Sequence, residues 1–213
     1  MKALIVLGGD APGKALLEQG LAWCDFSIAA DRGLEAFDAA GKKPDFLLGD
    51  MDSVAPAVLQ KYEACLPMMR LNCQKDDTDG EAALEAAIER GAKEIVFLGA
   101  LGGRLDHALA NLMLLVRAHQ KGAYARIYDE QVSIERVDGS CTLQDAQGHT
   151  VSLLPLGSAQ GVTIEGFFYP LLDGTLTNAQ TLGISNVVTA PLAKVTVRSG
   201  DLLLFHYYTE KNV

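Results

Sequence analysis

Five short apolar segments recur in the first 130 residues, and helical patterns separate them. The segments are almost continuously apolar and several are β-branched, which is typical of parallel strands buried on both faces. Strands and helices alternating at this interval indicate a series of βαβ units. We therefore predict an N-terminal, doubly wound, mostly parallel α/β domain over residues 1–130. Its predicted strands lie at 3–7, 26–30, 46–48, 94–99 and 124–128.

Two of the helices in this half have recognisable ends. Thr78 and Glu81 form a capping-box pattern that predicts a helix start, and Gly91 is placed to end that helix. A second helix is predicted from about Ala108 to Lys121, with Gly122 as its stop. Its predicted buried stripe consists of Leu109, Leu112, Met113 and Val116.

The pattern changes after residue 130. Short segments that alternate apolar and polar residues follow one another between glycines, and no helical pattern is found. This predicts a small all-β sandwich domain over residues 131–213.

The cysteines and the apolar runs indicate a cytoplasmic protein. The four cysteines form no C-x-x-C pair and have no histidine at zinc spacing, so we expect reduced core thiols. The first apolar run is broken by glycines and Asp10, which favours a strand over a signal peptide. No apolar run approaches the roughly 20 residues of a membrane helix. The cysteines are Cys24, Cys65, Cys73 and Cys141.

The glycine-rich turn after the first strand has P-loop spacing, with Gly8, Gly13 and Lys14 in the expected places. Ala15, however, lacks the hydroxyl that a P-loop uses on magnesium, and Pro12 removes one N–H donor. A true P-loop is therefore disfavoured. Two interpretations remain: a turn that approaches a nucleotide at the carboxyl end of the first strand, or an ordinary turn into the first helix.

The formal net charge of -9 argues against nucleic acid as a partner, because such a groove needs a basic face. Aspartates nevertheless recur just after predicted strands or before predicted helices. Loops that follow parallel strands open on one edge of the sheet, so we expect these carboxylates to converge. They are Asp31, Asp50, Asp52, Asp79 and Asp106.

Several carboxylates in one cleft repel each other unless a cation holds them, and Mg²⁺ prefers such oxygen ligands. The i, i+2 spacing of Asp50 and Asp52 suits this, since side chains two apart on an extended segment face the same way. The alternative for any single aspartate is a turn residue or a helix cap. The recurrence of the whole set favours a magnesium and phosphate site.

Cationic and glycine residues near the same edge complement that site. Arg104 and Lys75 are expected to neutralise phosphate oxygens, while Gly102 and Gly103 let main-chain N–H groups approach an anion at a helix start. His107 has two interpretations, a proton acceptor or a hydrogen-bond partner of neighbouring backbone.

Four motifs, in order along the chain, resemble those of the thiamin pyrophosphokinase family. They are GDMDS at 49–53, KDDTD at 75–79, GGRLDH at 102–107 with Asn111 in the helix that follows, and GISN at 183–186 after Tyr169-Pro170-Leu171. The chain departs from the family pattern at Met51, at Arg32 and at Val187, where an acidic residue is usual. None of these departures removes a predicted metal ligand.

The resemblance implies an enzyme that transfers diphosphate from ATP to the hydroxyl of thiamine, giving thiamine diphosphate and AMP. It implies an α/β nucleotide-binding domain and a β-sandwich that contributes to the thiamine site. It also implies a homodimer whose active site lies between the α/β domain of one subunit and the sandwich of the other. Two rival functions remain open: a Mg²⁺-dependent hydrolase of nucleotides or phosphate esters, and a non-catalytic sensor of thiamine or nucleotide.

The resemblance also assigns roles to residues. Asp50, Asp52 and Asp79 are expected to bind Mg²⁺, Asp106 to assist them, and either Asp79 or Asp106 to accept the hydroxyl proton. Ser185 and Asn186 are expected to contact the aminopyrimidine of thiamine. The predicted catalytic residues are Asp50, Asp52, Asp79, Arg104 and Asp106. The predicted nucleotide- and phosphate-binding residues are Asp31, Lys75, Thr78, Gly102, Gly103, Arg104 and His107.

Overall fold

The computed structural model describes residues 1–62, 66–69 and 78–210. The chain divides into two compact units, Met1–Glu130 and Gln131–Val213. The first combines helices with a parallel sheet and the second contains antiparallel strands, so the chain is a mixed α/β protein. No helix in the described ranges is long and apolar enough to cross a membrane.

The first unit is built on six parallel strands in the order β4-β3-β2-β1-β5-β6. The chain places β2, β3 and β4 on one side of β1, then crosses to place β5 and β6 on the other. The strand order therefore reverses beside β1, where ligands of open α/β sheets bind. The elements are β1 (Lys2–Val6), α1 (Lys14–Trp23), β2 (Phe26–Ala30), α2 (Gly33–Ala40), β3 (Phe46–Leu48), α3 (Pro56–Tyr62), β4 (Met68–Met69), α4 (Asp79–Glu89), β5 (Glu94–Leu98), α5 (Leu105–Gln120) and β6 (Tyr124–Tyr128).

The central strands are buried on both faces, which explains why their sequences are apolar without alternation. Leu4 and Val6 of β1 pack against Leu17 of α1 and Phe37 of α2. Successive side chains of a strand point to opposite faces, so Ile5, also fully buried, faces the other side. The helix α4 contacts β1, β2 and β3 and packs beside α5.

The ends of α4 agree with the capping pattern. Thr78 Oγ1 accepts a hydrogen bond from the N–H of Glu81 at 3.2 Å, and Gly91 has a φ of 89° just beyond the helix. The helix α5 starts at Leu105, three residues earlier than predicted, and Gly122 follows it with a φ of 75°.

The apolar stripe predicted for α5 is confirmed at Leu112 but not at Leu109 or Met113. Its buried residues are Leu112, Leu114, Leu115 and Ala118. Leu109 and Met113 are instead 49% and 45% exposed, and Leu105 is 73% exposed. These three residues recur at every fourth position and form a second apolar stripe on the solvent side. Apolar residues on two faces of one helix make its buried face ambiguous from sequence.

All strand pairs within residues 131–210 of the second unit are antiparallel, and they are arranged around the long strand β9. This strand pairs with β10, β11, β12 and β13 along different parts of its length. Its inward side chains, such as Val151, Leu153 and Val162, meet Leu176 and Leu204 in an apolar core. The elements are β7 (Val132–Arg136), β8 (Ser140–Gln144), β9 (His149–Glu165), β10 (Leu171–Thr177), β11 (Asn186–Val187), β12 (Leu192–Thr196) and β13 (Ser199–Glu210).

Two of the cysteines, Cys24 and Cys141, are not in disulfide bonds. Cys65 and Cys73 lie outside the described residues.

Candidate active site

A cavity of about 800 Å³ opens at the carboxyl ends of the strands of the first unit. Its walls come from the loops after β1, β2, β3 and β5 and from the first residues of α4 and α5. Loops that are far apart in sequence therefore meet at one edge of the sheet, as the topology requires. Predicted site residues that line the cavity are Asp31, Asp52, Thr78, Asp79, Gly102, Gly103, Arg104 and His107.

Three carboxylates form a compact cluster at this edge. One oxygen each of Asp31, Asp50 and Asp52 lies within 4.8 Å of the other two. Asp31 directly follows β2, and its N–H bonds to the carbonyl of Leu48 at the end of β3 at 2.9 Å. The loops after the adjacent parallel strands β2 and β3 therefore bring the three carboxylates together. Oxygen donors at this spacing suit Mg²⁺.

The segment between the two acids of the GDMDS motif is a turn, so the expectation of an extended segment is wrong. Met51 is buried with a φ of 62°, and the N–H of Asp52 bonds to Asp50 Oδ1 at 3.0 Å. Asp31 Oδ1 accepts the N–H of Met51 at 3.2 Å. Gly49 has a φ of 116°, and a Cβ there would collide with the Asp31 carboxylate. Glycine is therefore needed at position 49 so that Asp31 can reach the turn.

Asp31 has an unusually high proton affinity for an aspartate. Burial is the largest cause that raises its pKa from 3.8 to about 7, and a hydrogen bond to the Asp79 carboxyl group and the negative charges of Asp79 and Asp50 act in the same direction. The N–H of Met51 acts in the opposite direction. Asp79, at the start of α4, thus joins the cluster through Asp31. Asp31 was expected to converge with the other acids because it directly follows β2, as Asp50 follows β3, but it was predicted to bind the nucleotide and not the metal.

Asp106 lies in a different electrostatic environment. The guanidinium of Arg104 donates two hydrogen bonds to the Asp106 carboxylate, from Nη2 to Oδ2 at 2.6 Å and from Nε to Oδ1 at 3.1 Å. These hydrogen bonds, helped by the N–H of His107, lower the pKa of Asp106 to about 2. The same pair raises the pKa of Arg104. Asp106 therefore stays ionised and orients Arg104 at the cavity wall.

The glycines before Arg104 are required by the shape of the loop after β5. Gly102 and Gly103 have φ values of 80° and 62°, which favour glycine. A Cβ on Gly102 would also overlap the carboxylate of Asp10. Asn111 of α5 donates to the carbonyl of Ala100 at 2.8 Å and so ties this loop to the helix.

One N–H of the glycine-rich turn after β1, that of Gly13 at the helix start, is already bonded to a carboxylate. The N–H of Gly13 donates to Glu130 Oε1 at 2.8 Å, so a carboxylate already occupies the place of a phosphate. Gly8 and Gly9 do line the cavity. Arg32 donates to the carbonyl oxygens of both and is itself exposed in the cavity wall.

The residues predicted to contact thiamine lie in the second unit. Asn186 lines a pocket of about 180 Å³ together with Tyr169, Leu171, Leu182 and other residues of that unit. Ser185 is exposed, has a φ of 58°, and donates its N–H to Ser152 Oγ at 2.9 Å. Lys75 lies outside the described residues.

Comparisons with known proteins agree with both units. Residues 17–127 match the family model "Thiamin pyrophosphokinase, catalytic domain", and residues 140–204 match "Thiamin pyrophosphokinase, vitamin B1 binding domain". The thiamine pyrophosphokinase of Bacillus subtilis (strain 168) is 29% identical over 181 residues, which cover 83% of this chain and 85% of that protein.

Solved structures give the same result. A thiamin pyrophosphokinase from Geobacillus thermodenitrificans superposes with a TM-score of 0.82 at 30% identity, covering 100% of this chain and 99% of that one. The crystal structure of the Bacillus subtilis thiamine pyrophosphokinase gives a TM-score of 0.83 at 27% identity, covering 97% and 99%. With two family models in their expected order and agreement over the whole chain, this protein belongs to the thiamin pyrophosphokinase family.

Proposed function

We propose that this protein transfers a diphosphate group from ATP to the primary hydroxyl of thiamine, with Mg²⁺ held by the acidic cluster. Pyrophosphate transfer to thiamine is the reaction of the family to which the chain belongs. The observation that carries the ATP and Mg²⁺ dependence is the cluster of Asp31, Asp50 and Asp52, within 4.8 Å of one another beside a cavity of about 800 Å³.

In this proposal Asp31, Asp50 and Asp52 hold the ion, and Asp79 contacts them through Asp31. The crowding that helps to raise the pKa of Asp31 to about 7 is relieved when a divalent cation shares the site. Bound Mg²⁺ would neutralise phosphate oxygens of the nucleotide. This assignment puts Asp31 in the place of Asp79 in the predicted ligand set of Asp50, Asp52 and Asp79.

Residues at the starts of two helices are proposed to receive the phosphates. Thr78 caps α4 and Arg104 precedes α5, and both line the cavity. Main-chain N–H groups at helix starts favour anions, and the glycines at 102 and 103 leave the loop backbone open to them. Arg104, held by Asp106, presents its guanidinium to the transferring group. Lys75 and His107 stay in the proposed phosphate-binding set.

The proposed chemistry is an in-line displacement at the β-phosphorus. The thiamine oxygen forms a bond to that phosphorus while the bond from it to the oxygen bridging the α-phosphorus breaks, and AMP leaves with the bridging oxygen. The hydroxyl proton needs an acceptor. Asp106 is poorly suited because Arg104 lowers its pKa to about 2, whereas Asp79 lines the cavity at the start of α4. We therefore assign the proton to Asp79.

We also propose the division of labour between the two units. Residues 1–130 form the doubly wound ATP- and Mg²⁺-binding domain, and residues 131–213 form the β-sandwich that binds thiamine through Ser185 and the pocket at Tyr169. A homodimer with a composite active site is supported by apolar surfaces that a monomer leaves in water. They are the α5 stripe, with Leu105 73% exposed, and Phe168, Tyr169 and Leu172 at 54%, 65% and 84%. Light scattering of the purified chain tests the dimer.

One assay separates the proposal from its rivals. The protein is incubated with ATP and Mg²⁺, with and without thiamine, and AMP and thiamine diphosphate are measured. The proposal expects AMP only with thiamine and Mg²⁺, in equal amounts with thiamine diphosphate. Nucleotide breakdown without thiamine would indicate the hydrolase, and binding without any product would indicate the sensor.

The acids of the GDMDS motif give the matching mutational test. Asp50→Ala or Asp52→Ala should lower kcat by about a thousandfold or more, because each removes a charged metal ligand. The fold, followed by circular dichroism, should be unchanged. Glu89→Gln, an exposed acid at the end of α4, is the control and should turn over normally. Near-normal activity of either aspartate variant would exclude that residue from the metal site.

A further inference from the structure

The side chain of Asn186 has almost no hydrogen-bonding capacity left for a ligand. The residue is 5% exposed. Its Oδ1 accepts the N–H of Tyr169 at 3.0 Å and the N–H of Val187 at 2.9 Å, and its Nδ2 donates to the carbonyl of Tyr169 at 2.7 Å. Two N–H donors approach one end of the Asn186 amide and a carbonyl oxygen approaches the other, so the first end is the oxygen and the second is the nitrogen. Both acceptor positions of Oδ1 are therefore occupied, and one N–H of Nδ2 remains.

This arrangement conflicts with direct recognition of an aminopyrimidine by Oδ1. The exocyclic amino group of that ring is a donor and needs an acceptor. Asn186 has no acceptor to offer unless it releases a backbone N–H in a buried place, which is unfavourable. Ser185, the neighbouring residue of the GISN motif, is exposed and is free of that constraint.

The side chain of Asn186 instead continues, by one residue, the antiparallel pairing that includes Phe167 and Phe168. Phe167 and Val188 form an antiparallel bridge, and the N–H of Phe168 donates to the carbonyl of Val187 at 2.9 Å. The next residue, Tyr169, would begin to diverge from β11. The Asn186 amide bonds to both its backbone groups, as a neighbouring strand would, and holds it in place.

The residue held in this way forms part of a pocket wall. Tyr169 is 65% exposed, and its ring meets that of Phe168 edge to face at 4.8 Å. Tyr169 and Leu171 line the pocket of about 180 Å³, with Leu182 and Asn186 also in its wall. A small, mostly apolar pocket with an aromatic wall suits a flat heteroaromatic ring.

We propose that Asn186 is a positioning residue that acts on thiamine through Tyr169 and accepts no hydrogen bond from the aminopyrimidine itself. The inference rests on the proposed function, because it names how one part of that substrate is recognised. The Tyr169 ring then makes the contact, and Asn186 sets its place by fixing the backbone behind it.

A double-mutant cycle tests this role, with Asn186→Ala, Tyr169→Ala and the double variant. Asn186→Ala should raise the KM for thiamine about tenfold, which corresponds to one or two hydrogen bonds, and leave the KM for ATP and kcat within about twofold. In the Tyr169→Ala background, adding Asn186→Ala should raise the KM for thiamine by less than about twofold, because the Tyr169 ring that it positions is no longer present. Asn178→Ala, an exposed asparagine of the same unit, is the matched control and should change nothing.

If the two single-variant increases in the KM for thiamine multiply in the double variant, the inference is overturned, because Asn186 would then act on thiamine independently of Tyr169. Asn186→Ser covers the case in which the alanine variant fails to fold, because its hydroxyl can still accept a backbone N–H and adds no buried charge. Wild type and Asn186→Ser are then compared on thiamine and on an analogue without the 4′-amino group. An unchanged preference between the two substrates supports positioning, and a lost preference overturns it. Absence of thiamine diphosphate from the wild type would refute the proposed function itself, and this inference with it.

Discussion

Replacing Asp31 by asparagine should stabilise the metal-free protein while damaging its site. In the folded chain Asp31 keeps its proton up to a pKa of about 7, whereas in the unfolded chain it loses it near 3.8. Between these values the folded state binds more protons, so the free energy of unfolding falls as the pH rises from about 4 to 7. Above pH 7 the folded protein carries the full repulsion of the cluster. An asparagine side chain cannot ionise, so Asp31→Asn should be free of this loss.

The size of the effect follows from the shift and the exposure of the group. A shift from 3.8 to about 7 would correspond to about 4 kcal/mol for a group shielded from solvent. Asp31 is only half-buried, so water screens the interaction, and we expect about 1–2 kcal/mol. For a chain of 213 residues this is an increase in Tm of roughly 3–6 °C at pH 8. At pH 4.5 the difference should be under about 0.5 kcal/mol.

Thermal unfolding in EDTA at pH 4.5 and pH 8 measures both values. A third scan at pH 8 with excess Mg²⁺ should reverse the order, because the ion stabilises the wild type by binding its folded state and finds one ligand fewer in Asp31→Asn. Glu89→Gln controls for the loss of one negative charge elsewhere in the unit. Equal melting temperatures of wild type and Asp31→Asn in EDTA at pH 8 would refute the reasoning, as would a stabilisation of equal size at both pH values.

Three further substitutions test separate parts of the site. Gly49→Ala forces a Cβ onto the Asp31 carboxylate at a positive φ, so urea titration should show a loss of about 1–3 kcal/mol together with weaker Mg²⁺ binding. Thr78→Ala removes the oxygen that accepts the N–H of Glu81, and should cost about 1 kcal/mol in the same titration, whereas Thr78→Ser should restore it. Arg32→Gln removes a cation from the cavity wall and should raise the KM for ATP several-fold without changing that for thiamine; an unchanged KM for ATP would exclude Arg32 from phosphate binding.

The fold was predictable from the sequence wherever burial dictated composition. Strands covered on both faces must be apolar throughout, and the segments at 3–7 and 26–30 lie on β1 and β2, which are almost wholly buried. The stripe of α5 was not predictable in this way. Leu109 and Met113 are apolar but exposed, and sequence cannot tell an apolar face that meets the core from one that is free to meet another molecule.

The residues of the candidate site were easier to predict than their geometry. Acids at strand ends converge because parallel strands share an edge, and this follows from topology alone. That Asp31 would lie within 4.8 Å of the GDMDS acids depends on Gly49 having no Cβ and on Met51 adopting a positive φ. Asn186 shows the same limit: the family resemblance implied a ligand contact, while its hydrogen bonds go to the backbone of Tyr169.

Asp106 and Asp31 belong to the same candidate site, but their pKa values shift in opposite directions, and this difference separates their roles. Asp106 has its own cation, and the guanidinium of Arg104 lowers its pKa to about 2, so it stays charged without any metal. Asp31 is half-buried among other carboxylates, and its pKa rises to about 7, so its charge has to be shared with a proton or with an ion. Environments that push pKa values apart in this way separate fixed charges from groups that exchange protons. In the proposed function, the part of the site that exchanges a proton for a metal ion is therefore the cluster around Asp31, and Asp106 keeps Arg104 aligned whether or not that exchange has occurred.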